Sequence, residues 1–130
     1  MNSPLFRRKN TIFTALIFLN SKRTKENYTT MTITIKKVTT KKELKKFIRF
    51  NYELYKDNPY SVPDLYDDML NTFNPKKNPA FEFCEAEYFL AYKGEEIVGR
   101  VAAIINHRAN DTWNKKEVRF GWLDFIDEEE

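Results

Sequence analysis

Few side chains in this sequence could do chemistry alone. Cys84 is the only cysteine and His107 the only histidine. Neither a cysteine-rich nor a multi-histidine metal site can be assembled, and no metal is expected. Cys84 has no sequence neighbour that would stabilise a thiolate, so it reads as a buried structural thiol. His107 stands beside Arg108 at the end of an apolar run and reads as a loop histidine. Asp124 lies near the end of another apolar run, where a carboxylate can cap a following helix. Lys41, Lys42, Lys45 and Lys46 share a basic helix face, and such runs are usually solvated. Twelve of the twenty aromatic residues fall between Phe47 and Tyr92, which points to a core or a binding cleft.

The elements that must hold these residues are legible in pattern. Thr32–Val38 alternates, with Ile33 and Ile35 on one face, as a strand does. Thr40-Lys41-Lys42-Glu43 fits a capping box, and a helix is predicted from it to Asp57. Leu44, Phe47, Ile48, Leu54 and Tyr55 form its apolar stripe. Asn58-Pro59 ends it. Pro63 suits the first turn of a second helix, reaching Phe73, with Asp64, Asp67 and Asp68 near its positive end. Asn74–Pro79 is a loop. Glu85–Tyr92 alternates, Lys93-Gly94-Glu95-Glu96 is a hairpin turn, and Ile97–Asn106 is apolar on both faces, as in a strand covered on two sides. After a loop from His107 to Lys116, Val118–Phe125 is a fourth strand. The fold class is α+β, with a mainly antiparallel sheet and two helices. The last strand is apolar on both sides and lacks an evident covering partner.

The chain has 130 residues, 42% hydrophobic and 32% charged, an ordinary globular composition. Its net charge of +3 is unevenly placed: residues 1–30 carry +5 and residues 31–130 carry −2. No strong basic field covers the folded part, so nucleic acid is not an expected partner. In the first thirty residues, Arg7-Arg8-Lys9 precedes the apolar run Ile12–Leu19. That outline suits a secretory signal, but no small-residue cleavage site follows, and the run is too short to span a bilayer. Residues 1–30 read as an extension, disordered or produced by a misplaced start before Met31. A membrane anchor or an amphipathic helix packed on the domain are the alternatives.

The order β1 (Thr32–Val38), α1 (Thr40–Asp57), α2 (Pro63–Phe73), β2 (Glu85–Tyr92), β3 (Ile97–Asn106), β4 (Val118–Phe125) resembles the N-terminal half of the GNAT family of N-acetyltransferases. Tyr88-Phe89-Leu90-Ala91-Tyr92-Lys93-Gly94-Glu95-Glu96-Ile97-Val98-Gly99-Arg100-Val101 is similar to its β2–β3 hairpin. Phe120-Gly121-Trp122-Leu123-Asp124-Phe125 is similar to β4 of a bacterial GNAT-like subgroup. The resemblance implies acyl-CoA-dependent transfer to the amine of a small molecule or peptide. It implies backbone contacts to the acyl-CoA arm from Gly121, Trp122 and Leu123, around a bulge that a mid-strand glycine favours. It also implies a carboxylate base at Asp124 and an acceptor pocket shaped by Tyr52, Tyr55, Tyr60 and Tyr66. The family's glycine-rich pyrophosphate loop after β4 does not occur in this sequence. Residues 31–130 are therefore expected to be the front half of a cytoplasmic acyltransferase domain, a fragment inactive alone. It should bind acetyl-CoA or another acyl-CoA weakly or not at all, and no membrane partner is expected. The competing expectations are a small protein-interaction domain that uses the aromatic cluster, and a membrane-attached domain held by residues 12–19.

Overall fold

The computed structural model describes residues 32–127, and the expectations for residues 1–30 lie outside them. The observed elements are β1 (Ile33–Lys37), α1 (Lys41–Leu54), α2 (Tyr66–Thr72), a 3-10 turn (Pro79–Glu82), β2 (Cys84–Lys93), β3 (Glu96–Asn106), α3 (His107–Thr112) and β4 (Arg119–Phe125). The strands form one antiparallel sheet in the order β1-β2-β3-β4. The expected α+β class and strand–helix order are met.

α1 begins where the capping box places it. The Thr40 hydroxyl accepts from the Glu43 N–H at 3.2 Å, and the Glu43 carboxylate accepts from the Thr39 and Thr40 N–H groups at 2.8 and 2.9 Å. The helix ends at Leu54, short of Asp57, so Tyr55 is its C-cap. Its buried residues are Phe47, Ile48 and Phe50. Phe50, outside the expected stripe, is buried, whereas Tyr55 is 37% exposed.

α2 departs from expectation at its start. It begins at Tyr66, and its N-cap Leu65 makes no side-chain cap bond. Pro63 and Asp64 precede the helix. The Asp64 carbonyl instead accepts from the Tyr52 hydroxyl at 2.7 Å, which ties the connecting loop to α1. Proline and the acidic residues that follow it favour a helix start locally, but the first helical residue is Tyr66. α3 occupies part of the expected His107–Lys116 loop; the Asn106 side chain caps it by accepting from the Ala109 N–H at 2.8 Å.

The β2–β3 hairpin turns on two residues, with Gly94 at φ +63°. A positive φ at the first turn position alone is the mark of a type II′ turn, whose twist matches the strands it joins. Its ladder is the longest in the sheet, with one register shift beside Ala91 and Tyr92. β3 is the most buried strand, as its two apolar faces require. The core gathers Phe47 and Ile48 of α1, Met69 and Phe73 of the α2 region, Leu90 of β2 and Ala102 of β3. The opposite sheet face carries Ile33, Phe120 and Phe125, which are 57%, 68% and 60% exposed.

The capping box makes a pH prediction. The Thr39 and Thr40 N–H groups, and then the Thr40 hydroxyl, lower the Glu43 carboxyl from 4.5 to about 2. A carboxyl depressed by folding stabilises the fold above its unfolded value, and that contribution is lost as pH falls towards the folded value. Between pH 4.5 and about 2, the wild type should therefore lose more stability than Glu43→Gln. Urea unfolding at a series of acidic pH values checks this, and parallel curves would refute it.

Candidate functional site

The site starts from a charge in an apolar strand. Arg100 lies within Ile97–Ile105, and it is 5% exposed. A buried guanidinium needs a counter-charge and acceptors. Its Nε donates to Asp124 Oδ2 at 2.7 Å, and one terminal nitrogen donates to the Phe47 carbonyl at 2.9 Å. That carbonyl lies inside α1, and its second lone pair is free for the arginine. The guanidinium also lies 5.1 Å from the Phe47 ring centre. Asp124 gathers two further donors from the same helix end: Asn51 Nδ2 at 3.3 Å to Oδ2, and the Tyr55 hydroxyl at 3.0 Å to Oδ1. The bond to Asp124, followed by burial, pushes the Tyr55 hydroxyl above its ordinary value and keeps it a donor.

A bulge in β4 makes this meeting possible. Ala102 pairs with Gly121, whereas Arg100 pairs with Asp124. Trp122 and Leu123 thus stand opposite Val101 alone. Had the first register continued, Leu123 would face Arg100 and Asp124 would point to the other side of the sheet, because side chains alternate. The extra residue turns the carboxylate towards α1. Trp122 takes the strained conformation, at φ +47°. A left-handed backbone costs a non-glycine residue about 1–2 kcal/mol. The indole offsets part of this by packing edge-on against Phe73, with ring centres 4.9 Å apart.

The expected bulge is present, but Gly121 is not its left-handed residue. A Cβ at Gly121 would meet only Ile104 Cδ1, at 3.7 Å, an ordinary contact. Leu123 is 52% exposed. Asp124 was expected to cap a following helix or to act as a base. Among the described residues no helix follows β4, and both carboxylate oxygens are engaged by Arg100, Asn51 and Tyr55. Arg100 and Asn51 were missed by sequence reasoning. The available signal was the lone charge between Ile97 and Asn106, which demanded a partner.

The four tyrosines separate. Tyr52 and Tyr66 pack together with ring centres 6.2 Å apart, and Tyr55 binds Asp124. Tyr60 is 92% exposed and stands away from them. The Tyr66 hydroxyl is buried without a hydrogen-bond partner. Burial, and then the Asp64 carboxylate, push the Tyr52 hydroxyl upwards. A cleft of about 390 Å³ lies elsewhere, lined by Phe81–Glu85, His107, Arg108 and Asp111. There His107 Nε2 lies 2.9 Å from Glu85 Oε1, and Arg108 lies 4.0 Å from the Phe83 ring centre. His107 therefore sits at a helix start in hydrogen-bond contact with Glu85, and Cys84 is half-buried in the same lining. Among the described residues no cluster of three or more metal-ligating side chains occurs.

Two expected outcomes test this construction by urea denaturation. Asp124→Ala leaves Arg100 buried without its counter-charge and should cost about 3 kcal/mol. The double variant Arg100→Met with Asp124→Leu should be more stable than Asp124→Ala, because no unpaired charge remains. If the double is the less stable of the two, the pair is not the constraint described. At the bulge, Trp122→Gly should be more stable than Trp122→Ala by about 1 kcal/mol, since only glycine relaxes at positive φ. The reverse order would place the strain elsewhere.

No family model matches the chain, and no solved structure matches it. It is 34% identical over 88 residues to Protein YghO of Escherichia coli (strain K12), which covers 68% of this chain and 22% of that protein. It is 36% identical over 69 residues to the Bacterial ceramide synthase of Caulobacter vibrioides, which covers 53% of this chain and 18% of that protein. The chain thus spans about a fifth of the length of these two curated relatives.

Proposed function

We propose that this chain is part of an acyl-CoA-dependent N-acyltransferase domain whose acceptor is a long-chain amine. The observation that carries the reading is the partial match to a protein named as a ceramide synthase. A ceramide is an amide of a fatty acid with a long-chain amino alcohol. Amide formation on an amine is also the chemistry implied by the GNAT resemblance of β2, β3 and β4. The match and the resemblance point to one reaction class.

In this reaction the neutral amine attacks the thioester carbonyl, a C–N bond forms, the C–S bond breaks, and the coenzyme A thiol leaves with a proton. The residues here serve positioning. Arg100 and Asp124 lock β4 under α1, which fixes the bulge at Trp122 and Leu123. Asp124 holds the hydroxyl of Tyr55, the C-cap residue of α1. Tyr52 fixes the loop that carries Tyr60 over its Asp64 carbonyl. Acyl-CoA anchoring falls to the rest of the longer protein. The described glycines stand in a hairpin turn and in two strands, and none opens a helix that could receive phosphates. The same reading places the domain in the cytoplasm. Among the described residues, no helix is long and apolar enough to cross a membrane.

The protein-interaction alternative relied on the aromatic cluster. Of that cluster, Phe47 and Phe73 are buried and pack on Tyr88, whereas Tyr60 is exposed.

A chimera tests the proposal. The matched stretch of the Caulobacter ceramide synthase is replaced by the corresponding residues of this chain, and transfer from a long-chain acyl-CoA to a long-chain amino alcohol is followed in detergent. Amide formation above the level of a deletion control is expected, while the isolated chain should neither catalyse transfer nor bind acetyl-CoA in the micromolar range by calorimetry. A chimera that folds, as judged by circular dichroism, but transfers nothing would refute the reading. Micromolar binding by the isolated chain would show that acyl-CoA anchoring lies within these residues.

A further inference from the structure

The exposed side of α1 carries a feature that the site does not use. Lys41, Lys42, Lys45, Lys46 and Arg49 are all exposed. At 100° per residue they occupy an arc of about 140°, opposite the arc that buries Phe47, Ile48 and Phe50. None of the five pairs with an acid among the described residues, although Arg49 lies 5.8 Å from the Tyr66 ring centre. The nearest acid in sequence, Glu43, is committed to the Thr39 and Thr40 N–H groups.

This arrangement opposes helix stability. Lys41 and Lys42 sit in the first turn, at the positive end of the helix dipole. Lys41 with Lys45, Lys42 with Lys46, and Lys45 with Arg49 are like charges four residues apart, each pair mildly destabilising. A self-repelling face on a helix whose other face holds the core is relieved when an anionic surface meets it.

We propose that this face docks on the anionic headgroups of a lipid bilayer. A single straight face meets a plane along its whole length. The choice of a lipid surface rests on the proposed function, since a long-chain amine resides in a bilayer. Docking here is peripheral and needs no membrane-spanning helix.

The test is flotation of the full chain with vesicles made of equal parts phosphatidylglycerol and phosphatidylcholine. Binding is expected to these vesicles, to weaken with added salt, and to be absent with phosphatidylcholine alone. Each lysine near an anionic surface contributes about fivefold in affinity. Changing Lys41, Lys42, Lys45 and Lys46 together to Gln should therefore lower binding by roughly a hundredfold or more. The substitution keeps helix propensity and removes the repulsion, so a cooperative thermal melt at or above the wild-type temperature establishes folding. The matching Lys→Arg variant should bind as the wild type does. Unchanged binding by the Gln variant would overturn the proposal and move the interaction to the basic residues of 1–30. Tighter binding to a single- or double-stranded oligonucleotide than to vesicles at equal phosphate would overturn it in favour of nucleic acid. Flotation involves no acyl transfer and the detergent assay involves no bilayer, so failure of docking and failure of the proposed reaction are read separately.

Discussion

The buried pair of Arg100 and Asp124 is the constraint around which the rest is arranged. A guanidinium removed from water is tolerated only when its donors are met. Here a carboxylate from β4 balances its charge and accepts from Nε, and a carbonyl from inside α1 accepts from a terminal nitrogen. One side chain on the middle of the sheet thereby joins two strands to the helix above them. The carboxylate then draws in Asn51 and Tyr55, so the C-terminal end of α1 is fastened over β4 by polar contacts, while Phe47 and Ile48 fasten its middle by packing. The polar and apolar contacts are adjacent: the arginine that binds Asp124 also lies against the Phe47 ring.

The strain in β4 follows from this need. Asp124 reaches the helix side only because one residue is inserted into the strand, and that insertion forces Trp122 to a positive φ. An unstrained strand would leave Arg100 facing Leu123. The cost of one left-handed tryptophan is small beside that of an unpaired buried cation, about 1–2 kcal/mol against about 3–5 kcal/mol. The bulge is thus accounted for by the ion pair beneath it. Any use of its backbone by a substrate would exploit a distortion already present for folding.

The two faces of the sheet are not equivalent. α1 and α2 cover one, where the rings of Phe47, Phe73, Tyr88 and Trp122 interlock. The other presents Ile33, Phe120 and Phe125 to solvent. Exposed apolar groups gathered on one sheet face favour a further layer. The much greater length of the two curated relatives is in keeping with such a layer. The charged side of α1 faces away from the sheet, so a bilayer could be met there while the sheet packs elsewhere.

The amino-acid sequence by itself determined what depends on near neighbours. The capping box at Thr40 and Glu43, the two-residue turn at Gly94 and the doubly apolar β3 are set by hydrogen bonds and alternation within a few residues. Each appears where the pattern puts it. Even the bulge was announced, by a glycine in mid-strand, though on the residue before the one that bends. Tertiary structure alone decided which side of the sheet Asp124 occupies. Alternation along β4 gives the same pattern in either register, and only pairing with β3 chooses between them. It likewise decided that Arg100 has a partner 24 residues away, and that the Asp64 carbonyl is held by the Tyr52 hydroxyl. The physical reason is common to all three. Local propensity acts over one helical turn or one strand pair, whereas a buried charge or a shared hydrogen bond is satisfied only by groups that folding brings together.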